Sequence, residues 1–353
     1  MQTPLTTRDS YHDPAISMLK GLAIILVVMG HSEWPMWILK PIYMVHMPIF
    51  FFVSGYLLKE RHFTGSLTFI KRRLRGLWFP FVLWSLVFTA LHNVLCWCHL
   101  YPAGALYTLR ETLERVPRIA LMLTTDVDSD SILLAFWFLK ELLYASVISF
   151  FAIKAVNKFA RHHAACMAGI TALFLVLAVA LSFAPFTIPT VGPRTMLACA
   201  FYTAGHTWRK YGVTPKRPVA VSIAVLLAMV VVSELYPMNI NSVGKKLFVY
   251  FIIISMSSAA AVTLSKVASG RACRACRVLD YTGRHTLEIL TFHYLAMKLV
   301  SLVKIAVYGL PLTMLETHDV VEWGNTLPWM LAYTLAGVGI PLLLCRIGLS
   351  RLR

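Results

Sequence analysis

Charge is what this chain has least of. Only 14% of its 353 residues are Asp, Glu, Lys or Arg, while 58% are hydrophobic and the mean hydropathy is +0.69. A soluble domain carries about 25% charged residues, so a standard soluble fold is excluded, as are disordered and collagen-like chains. Acids are scarcer still, 16 against 33 basic residues, which leaves a net charge of +17. In so apolar a chain that excess is read first as topology and contact with anionic lipid, and nucleic acid is not expected as a partner. The seven cysteines form no framework. Cys273 and Cys276 make a CxxC among arginines, without a second CxxC or a His pair at zinc spacing, so reduced, unliganded thiols and no metal are expected. No small-x-small site follows the first apolar run, and residues 1–15 are polar with Asp9 and Asp13, so that run is expected to stay as an anchor. Without an internal repeat or low-complexity linker, one integral domain over 16–346 is expected, between tails 1–15 and 347–353.

What is present is a series of apolar runs. A bilayer-spanning helix takes about 20 such residues. Runs at about 16–32, 42–58, 77–98, 132–153, 164–184, 195–208, 217–236, 247–265, 285–307 and 327–346 predict an all-α, polytopic bundle of about ten transmembrane helices. Loop charge tests this independently, because cytoplasmic loops are enriched in Lys and Arg. Lys59, Arg61, Lys71, Arg72, Arg73 and Arg75 follow the second run and mark that loop as cytoplasmic. Alternation then puts 22 basic residues inside and seven outside, with both termini cytoplasmic. Acids such as Glu111, Glu114, Asp126, Asp128, Asp130 and Asp319 lean outward. The longest outer loop, about 99–131, is expected to hold a short helix near 106–121.

An ionisable residue near mid-span costs about 2.5–3.5 kcal/mol even on lenient insertion scales and calls for a reason. Lys20 and Lys304 lie near span ends, where a lysine stem can reach the headgroups. Lys20 and His31 are eleven positions apart, which returns to nearly the same helix face and advances roughly 16 Å. They form either a polar stripe facing a cavity or two interfacial residues flanking an anchor. His46, just before Pro48, enters at the depth His31 reaches, either as a histidine satisfied by a carbonyl or as part of a site. Ser54-Gly55 suits close helix contact. Trp137, Lys140 and Glu141 share the outer half of the fourth run; adjacent positions point about 100° apart, so Lys140 and Glu141 each need a partner elsewhere. That describes a buried structural pair or a site. The cations of KRRLRGLWFP are explained by topology alone, and equally suit phosphates of a cytoplasmic nucleotide-like donor. Glu288, His293 and Lys298 complete the intramembrane set.

The segments ISMLKGLAIILVVMGHS, YMVHMPIFFFVSGYLL, FIKRRLRGLWFPFVLWS, FWFLKELL and TGRHTLEILTFHYL resemble, in order and spacing, the membrane-bound acyltransferase-3 family, and most closely its fucose 4-O-acetylase-like branch. The resemblance implies a multi-pass protein of a bacterial cytoplasmic membrane. Its activity would be O-acyl transfer, usually of acetyl from acetyl-CoA, to a hydroxyl of a cell-envelope carbohydrate, free or lipid-linked. It gives His31 the role of essential base and Lys20 that of essential cation. It matches Ser54-Gly55 to the SG motif and Arg72, Arg73 and Arg75 to the basic stretch before the proline, with Gly76 displacing the second arginine.

Acyl transfer from a thioester needs a base for the hydroxyl proton, and histidine titrates near working pH. The expected catalytic set is therefore His31 with Lys20, and Glu33 or Glu141 orienting the imidazole. His46, Ser54, Trp137, Lys140 and His293 are expected to bind substrate, and Arg72, Arg73 and Arg75 to hold acyl-CoA. No Ser or Cys sits in a recognisable nucleophile context, although Ser32 adjoins His31. A transporter or export component is the competing reading, since ten spans with intramembrane charges also describe a permease; the paired discontinuous helices and half-to-half repeat frequent in transporters are not read in the sequence.

Overall fold

The computed structural model describes residues 12–348 apart from 103, 124–130, 185–187, 189, 242–245, 272 and 318–319. Arg8, Lys245, Asp126, Asp128, Asp130, Asp319, Arg351 and Arg353 fall outside the described residues. Among the described residues, helices are the only regular elements. The chain opens with α1 (Pro14–Gly30), whose Asp13 side chain accepts from the Ile16 N–H and whose first position is a proline, both favourable at a helix start.

The second apolar run forms two helices, α2 (Met36–Val45) and α3 (Pro48–Tyr56), and begins six residues earlier than the sequence suggested. Pro48 has no N–H to offer the Met44 carbonyl four residues back. The Tyr250 hydroxyl donates to that carbonyl instead, at 2.9 Å, so the break at His46-Met47 leaves it satisfied. A second proline acts on the third run. Pro80 cannot donate to the Gly76 carbonyl, and the chain widens into a π turn, Leu74–Trp78, between α4 (Ser66–Arg73) and α5 (Phe79–Trp97).

The helix expected in the long outer loop is α6 (Leu109–Ala120), started by a Thr108 cap with Glu111 reaching back. It lies along α5 rather than standing apart. Asn93 pairs with the Tyr107 backbone at one end, and the Trp78 indole donates to the Ala120 carbonyl at the other. The chain continues through a 3₁₀ turn (Ser131–Phe136), α7 (Trp137–Phe159), α8 (His163–Ser182), α9 (Pro193–Tyr211), α10 (Pro218–Leu235), α11 (Leu247–Ser269), α12 (Arg274–Arg284), α13 (Thr286–Tyr308), the short α14 (Met314–Thr317) and α15 (Leu327–Arg346).

Among the described residues, eight helical segments are long and apolar enough to cross a membrane, as expected of a polytopic helical membrane protein. The other two expected spans are helical too: α1 is apolar but has 17 residues, and α9 has 19 residues but a more polar sequence. That polarity is tolerated because α9 sits inside the bundle. Thr195, Thr203 and His206 are buried with Leu197–Tyr202, so they meet protein rather than lipid. Two glycine crossings bring backbones together. A Cβ on Gly55 would lie 1.8 Å from the Tyr202 carbonyl oxygen and one on Gly205 1.9 Å from that of Phe52, which joins α3 to α9; Gly21 and Gly283 do the same between α1 and α12.

Cross-helix hydrogen bonds sort the helix ends into two faces. Ser265 bonds to Ala15, Lys154 to Ser66, Arg209 to Tyr56, and Tyr211 to His163 on one face. Most of the loop lysines and arginines lie there. On the opposite face Lys40 pairs with Glu234, and Asn325 donates to the Glu33 carbonyl.

Two expectations are corrected. Cys273 and Cys276 are joined in a disulfide, not left as thiols. Cys273 caps α12 in extended conformation, so the first turn returns Cys276 over it with a Cα separation of 5.2 Å, inside the range a disulfide requires. Lys304 does not reach toward headgroups. It is fully buried, and its ammonium donates to the Val321 carbonyl at 2.6 Å beside the rings of Trp329 and Tyr333. Lys298 likewise donates to Leu315, at 2.7 Å.

Candidate active site

Histidine 31 follows the last residue of α1, where the chain leaves the helix for a tight turn that Glu33 completes in left-handed conformation, φ 54°. The turn is tied down from several sides. The Tyr43 hydroxyl donates to the Gly30 carbonyl at 2.7 Å, and the Trp34 indole donates to the Thr334 hydroxyl at 3.0 Å. Gly337 lets α15 close on α1 and α13, since a Cβ there would lie 2.7 Å from Val28 and 3.7 Å from the Cβ of His293. These constraints aim the His31 ring into a cavity of about 240 Å³ on the face away from the basic loops. Along α1, roughly 24 Å separates His31 from Ala15 at the basic face.

Three histidines approach this cavity. His31 and His46 line it, and the His293 ring lies 5.7 Å from that of His31, centroid to centroid. His46 Nδ1 lies 2.6 Å from the Ile42 carbonyl, and His293 Nδ1 lies 3.0 Å from the carbonyls of both Ile289 and Leu290. A carbonyl only accepts, so both Nδ1 atoms carry the proton and each Nε2 is left as an acceptor. The Tyr294 hydroxyl is within 3.1 Å of both ring nitrogens of His31. Val27, Met47 and Ile240 supply apolar wall, Trp137 an aromatic face, and Asn239 and Asn241 two amides at the mouth. The Arg194 guanidinium stacks over Trp137 at 4.5 Å. This is a small pocket of mixed polarity, with two imidazoles in its lining and hydrogen-bonding groups on several sides.

The other sequence-derived candidates lie elsewhere. Lys20 is partly buried on α1, roughly 16 Å from His31. Glu33 is exposed in the turn, outside the cavity lining. Glu141 is buried between α7 and α9, accepting from the Thr195 hydroxyl at 2.6 Å, and Lys140 beside it is partly buried. Ser54 is partly buried on α3 next to the glycine crossing. Arg72 and Arg75 are exposed, whereas Arg73 folds back to the Tyr202 hydroxyl, at 3.4 Å, over the Phe69 ring. Ser32 is buried with its hydroxyl donated to the Val28 carbonyl at 2.7 Å. Tyr43, Tyr294, Asn239 and Asn241 were not singled out from the sequence. Tyr294 adjoins a named histidine in an expected span, but the asparagines sit in a short polar loop that reads as ordinary turn chemistry.

The acyltransferase-3 family model, described as an acyltransferase domain, matches residues 13–346. The nodulation protein NolL of Mesorhizobium japonicum is 27% identical over 210 residues, 55% of this chain. The match takes in 47% of that relative, so the chain spans about half the length of the curated relative it matches. No solved structure matches the chain. With a family match running from the cap of α1 to the last residue of α15, the chain belongs to the acyltransferase-3 family of membrane acyltransferases.

Proposed function

We propose that the protein moves an acetyl group from acetyl-CoA to a hydroxyl of a cell-envelope carbohydrate in a bacterial cytoplasmic membrane, with His31 as general base. The observation that carries the reading is the His31 ring, set at the wall of a pocket with hydroxyl, amide and imidazole neighbours. His31 takes the proton of the acceptor hydroxyl as its oxygen attacks the thioester carbonyl. The tetrahedral intermediate expels the CoA thiolate, which takes the proton back from His31, so no group on the protein ends the cycle changed. The Tyr294 hydroxyl, in reach of both His31 nitrogens, holds the ring in place of the acid anticipated from sequence. Direct transfer is favoured because the Ser32 hydroxyl is committed to a backbone carbonyl.

In this reading the basic face is cytoplasmic. Lys20 and the exposed Arg72 and Arg75 receive the CoA phosphates there, and the extended pantetheine arm covers the distance to His31. Trp137, Asn239 and Asn241 are suited to a sugar: an aromatic face for the ring and amides for its hydroxyls. Membranes containing the protein are incubated with radiolabelled acetyl-CoA. Label in the glycan fraction, lost on His31→Ala at unchanged membrane abundance, is the expected result. Acceptor accumulation without label would favour a transporter, and retained labelling in the variant would remove His31 from the mechanism.

A further inference from the structure

One polar atom beside the site is unused by this mechanism. His293 is fully buried, its Nδ1–H is held by two carbonyls of its own helix, and its Nε2 meets no hydrogen-bond partner among the described residues. Packing does not explain such an atom. A leucine would fill the space without stranding an acceptor, and a buried polar group left unmet is costly where no water competes for it. The backbone bonds also fix the ring, so the lone pair has a defined direction.

The titratable groups around it are few. His31 follows α1, and Tyr294 and Lys298 lie on α13 itself, with Lys298 turned away to Leu315; Tyr43 and His46, at the end of α2, line the cavity with His31. The elements packed from the other sides contribute Gly337 on α15, the uncharged 132–136 turn, and Trp84 of α5 against the neighbouring Phe292. The imidazole of His31, its centroid 5.7 Å from that of His293, is thus the neighbour whose state changes in the reaction.

We infer that His293 is a positioning residue whose Nε2 accepts the N–H of His31 when that ring becomes an imidazolium. It holds the ring until the departing thiolate recovers the proton. His293 itself neither gains nor loses one. The centroid separation of 5.7 Å is that of the resting state, and hydrogen bonds of this kind tighten as the reacting complex forms. The inference rests on His31 as base and adds a sign. An acceptor for the imidazolium favours the charged form, so removing it makes proton uptake by His31 less favourable. Activity needs neutral His31, so its acid limb then moves to lower pH.

The test uses the full chain in membranes with their own acceptor, and radiolabelled acetyl-CoA as probe, over about pH 5 to 9. His293→Asn keeps a donor for the two carbonyls and removes the acceptor at the ε position. It is expected to cut the rate about tenfold and lower the acid limb by about one unit. His293→Gln puts an amide oxygen at the ε position and is expected to bring the limb back toward wild type. Equal rate losses in both variants without a shift, or an Asn profile superimposable on wild type, would overturn the inference. If the Asn variant fails to reach the membrane, His293→Met, of similar volume and without a comparable acceptor, carries the same expectation. A His31→Ala arm separates the two readings. Retained labelling there refutes the general-base proposal, whereas an inactive His31→Ala beside an unshifted His293→Asn refutes the role of His293 alone.

Discussion

Alanine at Gly55 tests how closely the bundle is built around α9. A Cβ at that position would lie 1.8 Å from the Tyr202 oxygen and 2.6 Å from its carbonyl carbon. Both are main-chain atoms in the middle of a helix, so no rotamer change relieves the clash. Carbon and oxygen need roughly 3 Å or more, and α3 must move away from α9 by about 1 Å. A gap of that size forfeits a quarter to a half of the dispersion energy of the atoms along it, and these include the buried side chains Phe51, Phe52 and Val53. Overpacking in a rigid core costs about 1–3 kcal/mol before that loss is counted. Alanine regains about 1 kcal/mol in helix propensity, which is too little to offset it.

The net expectation for Gly55→Ala is a loss of about 2–4 kcal/mol, seen as a melting temperature lower by on the order of 5 °C for the purified protein in detergent. Gly205→Ala, the reciprocal contact, is expected to behave alike, and the double variant to lose less than the sum because the helices part only once. Gly76 is the control. It is exposed in the π turn, and a methyl group added there would meet nothing within 4 Å, so alanine is expected to be neutral or slightly stabilising. A Gly55→Ala protein that melts with wild type, or a Gly76→Ala protein that melts several degrees lower, would refute the reasoning.

Other substitutions probe how the site is held. Tyr250→Phe strands the Met44 carbonyl that Pro48 leaves open; a loss of about 1–3 kcal/mol in thermal stability is expected, with reduced labelling because His46 follows that carbonyl by two residues. Glu141→Gln retains an oxygen for the Thr195 hydroxyl and is expected to keep most of the acyl-transfer activity, whereas Glu141→Leu should destabilise by a similar 1–3 kcal/mol; an inactive but stable Gln variant would return Glu141 to the catalytic set. In α6, the Thr108 N–H and hydroxyl hold the Glu111 carboxyl below its usual range. A depressed carboxylate pKa contributes stability above the unfolded value and loses it as pH falls through the folded one. The first turn of α6 is therefore expected to exchange its amides faster in acid, after correction for intrinsic rates, and Glu111→Gln should abolish that dependence.

The fold was largely legible because hydropathy and loop charge are separate signals that agree. Segments such as 163–182 and 218–235 are predominantly apolar, with most of their surface turned outward. Local sequence could not show how a helix is interrupted. A proline such as Pro48 suits a helix start, but whether the chain breaks there depends on Tyr250, 202 residues away, being able to satisfy the stranded carbonyl. The CxxC failed for the opposite reason. Surrounding arginines suggested solvated thiols, while the decisive fact was a capped first turn that brings Cys276 back over Cys273. Lys304 was misread because hydropathy places a residue along the membrane normal and says nothing of its azimuth: the same depth near an outer end serves a lysine reaching for headgroups or one buried against Val321.

The same limit decides which site residues could be found. His31, His46 and Trp137 were legible because each is costly or unusual in an apolar run, and all three line one cavity. Glu141 is equally costly and lies outside that lining, with Thr195 as partner. Desolvation marks a polar residue as needing a partner, without saying whether that partner is substrate or protein. Asn239 and Asn241 reverse the case, since they cost nothing in a polar loop and so give no signal, yet the return from α10 to α11 brings them to the cavity mouth. Sequence reading therefore favours groups embedded in the membrane, where chemistry is expensive, and overlooks those at its edge, where the proposed function has an acceptor sugar first met. If the proposed function holds, variation in acceptor choice among proteins of this architecture should concentrate at loops such as 236–241. Exchanging that loop should change which glycan is labelled while leaving dependence on His31 intact, and a loop exchange that leaves the labelled glycan unchanged would count against acceptor entry on that side.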